Sequence, residues 1–228
     1  MTKSAVVLLS GGLDSTVTAY IARKETGVKG NLYALSFLYG QKHSKELDCA
    51  TYTASALAVK EHRTISIPLN SLVESSLMAD SKLDTPKEEI LLEGIPTTWV
   101  PQRNSIFLAF AFAYAETVGA DKIYTGFNAV DYSGYPDCRP EFVLAIERAL
   151  NLASKRFVQD GHGIGIVTPI MRLSKADIIK TGLELGVSFG STWSCYNGRD
   201  LACGTCPSCR IRKEAFASLG LEDPITYE

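Results

Sequence analysis

The chain is predicted to fold as an α/β protein with a doubly wound parallel sheet. Apolar runs at 5–9, 31–38 and 164–168 are short enough for buried strands, and helix-like stretches separate them. The turn Ser10-Gly11-Gly12-Leu13-Asp14-Ser15 then joins the first strand directly to the first helix. Strands alternating with helices imply a parallel sheet covered on both faces, and such strands read as continuous apolar runs.

The elements follow in order. Residues 14–24 form a helix, ended by Gly27 and Gly30. Residues 31–38 form a strand, 45–60 a helix rich in Ala and Leu, and 63–67 a third strand stopped by Pro68. Residues 70–96 are irregular and polar, a long loop with at most a short helix. Residues 104–118 make a very apolar helix, with Asn104 as a cap. A short strand at 122–126 ends in glycine, and a helix spans 140–157. The strand at 164–168 is closed by Pro169, Ser174 caps a helix running to Leu185, and 208–219 form a terminal helix. Ligands of open α/β sheets bind beyond the carboxyl ends of the strands. Ser10–Ser15, Ser36-Phe37-Leu38-Tyr39-Gly40, Gly126-Phe127-Asn128 and Thr168-Pro169 should therefore face one cleft.

Composition sets the outer bounds. The 228 residues suffice for one domain plus a small appendix, and 46% hydrophobic with 21% charged residues is ordinary for a globular protein. A net charge of −2 gives no global attraction to nucleic acid. No apolar run approaches a membrane span and no signal peptide is evident, so the default location is cytoplasmic.

The glycine turn suits phosphate. Unpaired N–H groups and the positive end of the helix dipole favour an anion there. Gly11 and Gly12 admit positive φ and close approach, and Ser10 and Ser15 add hydroxyls. Asp14 is either an N-cap or a contact to a cation beside the phosphate. The spacing is not that of a Walker A loop, whose lysine is missing, so γ-phosphoryl transfer is disfavoured. The stretch resembles the signature of the PP-loop ATP pyrophosphatase superfamily, whose members release pyrophosphate from ATP. Candidate ATP-binding residues are Leu9, Ser10, Gly11, Gly12, Leu13, Asp14, Ser15, Thr16, Val17, Thr18 and Ala19.

Cys195, Cys203, Cys206 and Cys209 crowd into the tail. Such clustering in a cytosolic chain reads as metal binding before disulfides. Four thiolates suit a closed, structural Zn²⁺ site, and an iron–sulfur cluster accepts the same set. Cys49 reads as a small buried apolar residue.

Other polar groups collect at strand ends. Tyr39, Lys42 and His43 follow the second strand, and Lys42 and His43 are candidates to sit near phosphate or a reacting carboxylate, although a lone loop histidine such as His43 is more often an ordinary surface residue. Arg103 and Lys175 are cations at helix starts, opposed to the dipole, and an anionic partner would remove that conflict. The segment from Asp131 to Pro140 combines Tyr132 and Tyr135 with Asp131, Asp137 and Arg139. Its rings can stack on a planar heterocycle, its carboxylates can accept from ring N–H groups, and its guanidinium can pair with a carboxylate. A Gly/Pro turn with an N-cap explains the same segment equally well.

With these residues placed, nearly the whole chain resembles the 7-cyano-7-deazaguanine synthase (QueC) family. The likeness rests on Ser10–Ser15, Tyr39-Gly40-Gln41-Lys42-His43, Val100-Pro101-Gln102-Arg103-Asn104, Thr125-Gly126, Asp131 through Arg139, Leu173-Ser174-Lys175-Ala176 and the cysteine tail with Cys195-Tyr196-Asn197-Gly198. Lys42 stands where arginine is common, and Gln102 where glycine is frequent. The resemblance implies an adenine nucleotide alpha-hydrolase-like fold, with an ATP-binding domain at 1–190 and a zinc-binding tail at 191–228. It implies conversion of 7-carboxy-7-deazaguanine and ammonia to the nitrile with ATP, Mg²⁺ and structural Zn²⁺, in a homodimer. It assigns catalysis to Lys42, His43, Arg103 and Lys175, and substrate contacts to Tyr39, Asp131, Tyr132, Tyr135, Asp137 and Arg139. Other PP-loop ATP users, such as NAD synthetases and tRNA-modifying enzymes, are the runner-up. A tRNA enzyme needs a basic face that this composition does not suggest. A zinc-stabilised nucleic-acid-binding regulator would use the tail and leave the glycine turn unexplained.

Overall fold

The computed structural model describes residues 3–42, 45–83, 94–130, 134–197 and 200–228. Five parallel strands form one sheet in the order β3-β2-β1-β4-β5. They are β1 (Ser4–Leu8), β2 (Asn31–Leu38), β3 (Glu61–Ser66), β4 (Lys122–Tyr124) and β5 (Gly165–Val167). The chain winds outward from β1 to β3, then returns to place β4 against the free side of β1. The carboxyl ends of β1 and β4 thus flank the point where strand order reverses, the crevice where such sheets bind ligands.

Side chains alternate across this sheet. On one face Val6, Leu8, Tyr33, Leu35 and Phe37 pack against α3 (Arg103–Val118) and α4 (Pro140–Leu152). On the other, Ala5, Val7, Leu9, Leu32 and Ala34 meet α1 (Leu13–Thr26) and α2 (Lys45–Ala56) through small residues such as Ala19, Ala22, Ala50 and Ala54. Those alanines let two helices lie close to the strands, which brings the start of α2 against the glycine turn. Outside α1 lie α6 (Lys175–Glu184) and α7 (Pro207–Ser218), joined through Val17, Ile178, Ile179, Ala215 and Phe216.

The predicted doubly wound sheet is therefore found, and the strand at 31–38 runs over the residues expected. The helix predicted across 140–157 is instead two. Ser154 takes an extended backbone and its Oγ accepts from Phe157 N, starting α5 (Lys155–Asp160). The same hydroxyl donates to Glu116 at 2.9 Å, while Asn151 turns its side chain to the backbone of Ile164. The helix predicted to reach residue 60 stops at Ala56, because Ala58 enters the left-handed region at φ 46° and Val59 N folds back to Ala54 O. At the start of the 70–96 loop the described residues form one short 3-10 helix at Leu69–Ser71, and 84–93 lie outside the described residues.

Candidate active site

At the switch point of the sheet the glycine turn gathers its own donors. The N–H groups of Ser10 and Gly11 both reach Ser15 Oγ at 3.2 Å, and Gly12 N reaches Ser10 Oγ at 3.2 Å. Thr16 N bonds Gly12 O and opens α1, with Gly12 as the N-cap residue. Gly11 has φ 88°, and a Cβ there would lie 1.9 Å from Glu46 O. The turn is thus wedged against α2 in a form that only glycine can take. Asp14 is not the cap. Its carboxylate takes both oxygens to Lys175 Nζ at 2.7 and 2.8 Å. That pairing supplies the anion missing from the start of α6, and it sets an ammonium beside the glycine turn.

A cavity of about 330 Å³ opens above this turn, within the range of small-ligand sites. Its floor is Leu9, Ser10, Gly12, Leu13, Asp14 and Ser15, with Lys175 beside them. Its apolar side carries Phe37 and Phe107, stacked at 4.0 Å with planes 5° apart. Arg103 lies with its guanidinium 5.9 Å from the Tyr39 ring centroid. Burial works against the charge of Arg103, but Tyr39, Cys138, Tyr135 and Asp137 outweigh it and hold the guanidinium above its ordinary pKa. Burial pushes the Tyr39 phenol up, with Arg103 opposing. Cys138, on the same wall, has its thiol pushed up to about 12, mainly by burial, so it stays protonated. Glu46 completes the wall, and burial raises its carboxyl to about 7 against the pull of Arg103.

The start of α3 is held by a carboxylate. Asn104 N donates to Asp137 Oδ2 at 3.1 Å, and Asn104 Nδ2 reaches Asp137 O and Cys138 Sγ. Asn104 is therefore not the cap expected from sequence. It ties the helix to the Pro136–Cys138 turn, and Asp137 supplies the negative charge that a helix N-terminus favours. The residue before the helix, Gln102, sits at φ 58°, the conformation a glycine would adopt freely.

The tail adds a second centre and reaches into the first. One ligand atom from each of Cys195, Cys203, Cys206 and Cys209 lies within 4.8 Å of the others. Tetrahedral sulfurs about 2.3 Å from one ion would be about 3.8 Å apart, so a small closure of this set fits a metal. Backbone N–H groups of Asn197 and Cys203 point at Cys195 Sγ, and that of Cys206 at Cys203 Sγ, as a thiolate cluster requires. Trp193 lines the cavity two residues before Cys195, and its backbone N–H donates to Gly11 O at 3.0 Å.

The family model described as "Queuosine biosynthesis protein QueC" matches residues 4–220. The chain belongs to the QueC family. Among curated relatives, the 7-cyano-7-deazaguanine synthase of Stutzerimonas stutzeri is 50% identical over 227 residues, covering 99% of this chain and 98% of the relative. That of Trichormus variabilis is 46% identical over 226 residues, covering 98% and 97%. Among solved structures, NMN synthetase from Francisella tularensis shares the fold, with a TM-score of 0.51 at 18% identity over 97% of this chain and 79% of that one.

Within this QueC-family cavity the structure brings together Leu9, Ser10, Gly12, Leu13, Asp14, Ser15, Tyr39, Arg103, Tyr135 and Lys175. Gly11 lies buried beneath the turn, and Thr16, Val17, Thr18 and Ala19 are buried along α1, off the cavity wall. Lys42 stands outside the wall with its N–H on Leu77 O. Asp137 is buried at the α3 start, and Arg139 is exposed with Nε on Pro136 O. His43, Asp131 and Tyr132 lie outside the described residues. Glu46 and Trp193 went unnoticed in the sequence. An acid in the first turn of a helix reads as dipole compensation, and only the proximity of Trp193 to Cys195 could have drawn attention to it.

Proposed function

We propose that this QueC-family chain converts 7-carboxy-7-deazaguanine, ammonia and ATP into 7-cyano-7-deazaguanine. The observation that carries the reading is one cavity holding both a phosphate-binding turn and a cationic, aromatic pocket for a planar acid. A carboxylate oxygen is a poor leaving group, so it must first attack the α-phosphate of ATP. The acyl-adenylate then gives the primary amide with ammonia, and a second activation of the amide oxygen permits loss of AMP and formation of the nitrile. The N–H groups of Ser10, Gly11 and Gly12, which close on the Ser15 and Ser10 hydroxyls in this structure, would turn to the departing pyrophosphate. Lys175, steered by Asp14, neutralises charge there, and Arg103 holds the acid against Tyr39 and Tyr135. No protein nucleophile is needed, consistent with a Cys138 thiol that stays protonated.

Mg²⁺ would neutralise the phosphates, and Asp14 is the carboxylate placed to meet it. Zn²⁺ is the proposed occupant of the four cysteines, as a structural cross-link. Metal analysis of the purified protein should return one zinc and no iron, without visible charge-transfer absorption. The same reading makes the chain a homodimer working in a reducing cytoplasm, where clustered thiols persist. Among the described residues no helix is long and apolar enough to cross a membrane. The deciding assay combines the protein with ATP, ammonium and 7-carboxy-7-deazaguanine. Mass spectrometry should find the nitrile, and its absence would sink the reading.

A further inference from the structure

One carboxyl of the cavity has no task in the scheme above. Glu46 stands in the first turn of α2 and lines the cavity with Tyr39, Arg103 and Trp193. The position a Cβ would take on Gly12 is 3.3 Å from Ser10 Oγ and 3.9 Å from Glu46 Oε1, so this carboxyl borders the phosphate turn. Both main reactants, ATP and the aromatic acid, are anions, whereas Glu46, faced by Arg103, is an acid at the border of the glycine turn, and a carboxylate attracts a cation. The third reactant is such a cation. Near neutral pH ammonia is mostly ammonium, which has no lone pair and cannot attack an acyl-adenylate. It needs an anionic site to hold it and a base to take its proton.

We propose that Glu46 is the ammonium-binding group and proton acceptor of the amide-forming step. The assignment rests on the two-activation reading given above. The carboxylate accepts an N–H of ammonium, and that bond breaks with its electron pair left on nitrogen and its proton on Glu46. The lone pair attacks the acyl carbon and the C–N bond forms. The C–O bond to AMP breaks with its pair on the phosphate oxygen, and the surplus proton on nitrogen passes to solvent. Glu46 returns its own proton to water before the next turnover. A carboxyl raised by burial to about 7 is a far better acceptor than an exposed glutamate. The charged and titratable groups around it are Lys45, Asp48 and Cys49 on its own helix, Arg103 on α3 and Tyr39 beyond β2. The Asp14–Lys175 pair and Arg212 share the cavity.

The second activation consumes no ammonia, and this separates Glu46 from the rest of the site. Native protein and Glu46→Gln are each given the acid with ammonium and ATP, or the corresponding 7-carboxamide with ATP alone. The acid route should fall about 100-fold in Glu46→Gln, while the carboxamide route stays within about threefold of native. Glu46→Asp should recover part of the acid route. In the native protein the KM for ammonium should rise as pH falls below about 7, where the carboxylate is lost, and this dependence should flatten in Glu46→Gln. If both routes fall together, Glu46 serves the nucleotide or the fold and the proposal is overturned, as it is if neither falls. A native protein that makes nitrile from the acid but not from the carboxamide removes the two-activation reading itself, and this assignment with it.

Discussion

Gly11 and Gln102 both take positive φ, with different consequences. At Gly11, φ is 88° and the nearest atom to an added Cβ is a backbone oxygen 1.9 Å away, which no side-chain rotation relieves. Gly11→Ala should therefore destabilise the protein by about 3 kcal/mol or more and abolish ATP binding, read by urea unfolding and calorimetric titration. Gln102 tolerates φ 58° in the open, where its Oε1 accepts from Ser105 Oγ at 2.8 Å. Gln102→Gly should raise stability by about 0.5–1 kcal/mol, seen as a higher urea midpoint with an unchanged m-value. The turn at Ser10–Ser15 was legible in sequence because glycine identity encodes the required conformation. Glu46 and Asn104 were not, because each acquires its meaning from a partner far along the chain: the Gly12 turn for one, Asp137 for the other.

Elements written as continuous apolar runs were read nearly to their ends, as with β2, buried on both faces, and α3. The failure at 140–157 has a physical cause. The apolar spacing continues through Leu150, Leu152, Phe157 and Val158, so periodicity alone sees one helix, while the break is made by polar side chains of Asn151 and Ser154 bonding to other segments. The start of α3 teaches the same lesson from the other side. Sequence placed Asn104 as a cap and Asp137 as a ligand contact, yet Asp137 holds the helix start that carries Arg103. Asp137→Ala leaves the buried Asn104 N–H without this acceptor and should cost about 1–3 kcal/mol of stability. Because Arg103 is the first residue of that helix, the variant should also raise the KM for the aromatic acid more than the KM for ATP. Steady-state kinetics with each substrate varied separately checks this split.

At the scale of the whole molecule, the cysteine tail and the glycine turn are one construction. Arg212 is 1% exposed and binds Asp223 at 2.8 and 3.0 Å, and the same guanidinium reaches Thr192 Oγ1 at 2.7 Å and Phe189 O at 3.0 Å. These bonds anchor the segment that runs through Trp193 to Cys195, and Trp193 N in turn holds Gly11 O. The four-cysteine cluster is the other anchor of that segment. Cys203→Ser removes a ligand that is only partly buried, so the substitution itself leaves packing largely intact. It should release the metal and lower Tm by about 10 °C, equivalent to about 4 kcal/mol for a chain of this size. Activity at low temperature should survive better than the melting point, because Arg212 still fixes Thr192 and hence the approach of Trp193 to the turn. Whatever loss remains should appear as weaker ATP binding, since Trp193 of the tail bonds Gly11 of the glycine turn. Scanning calorimetry with metal analysis and ATP titration of the same preparation tests this. A variant that keeps both its metal and its melting point would contradict the cross-link, and one that loses turnover at 10 °C while still binding ATP normally would place the cluster in the chemistry.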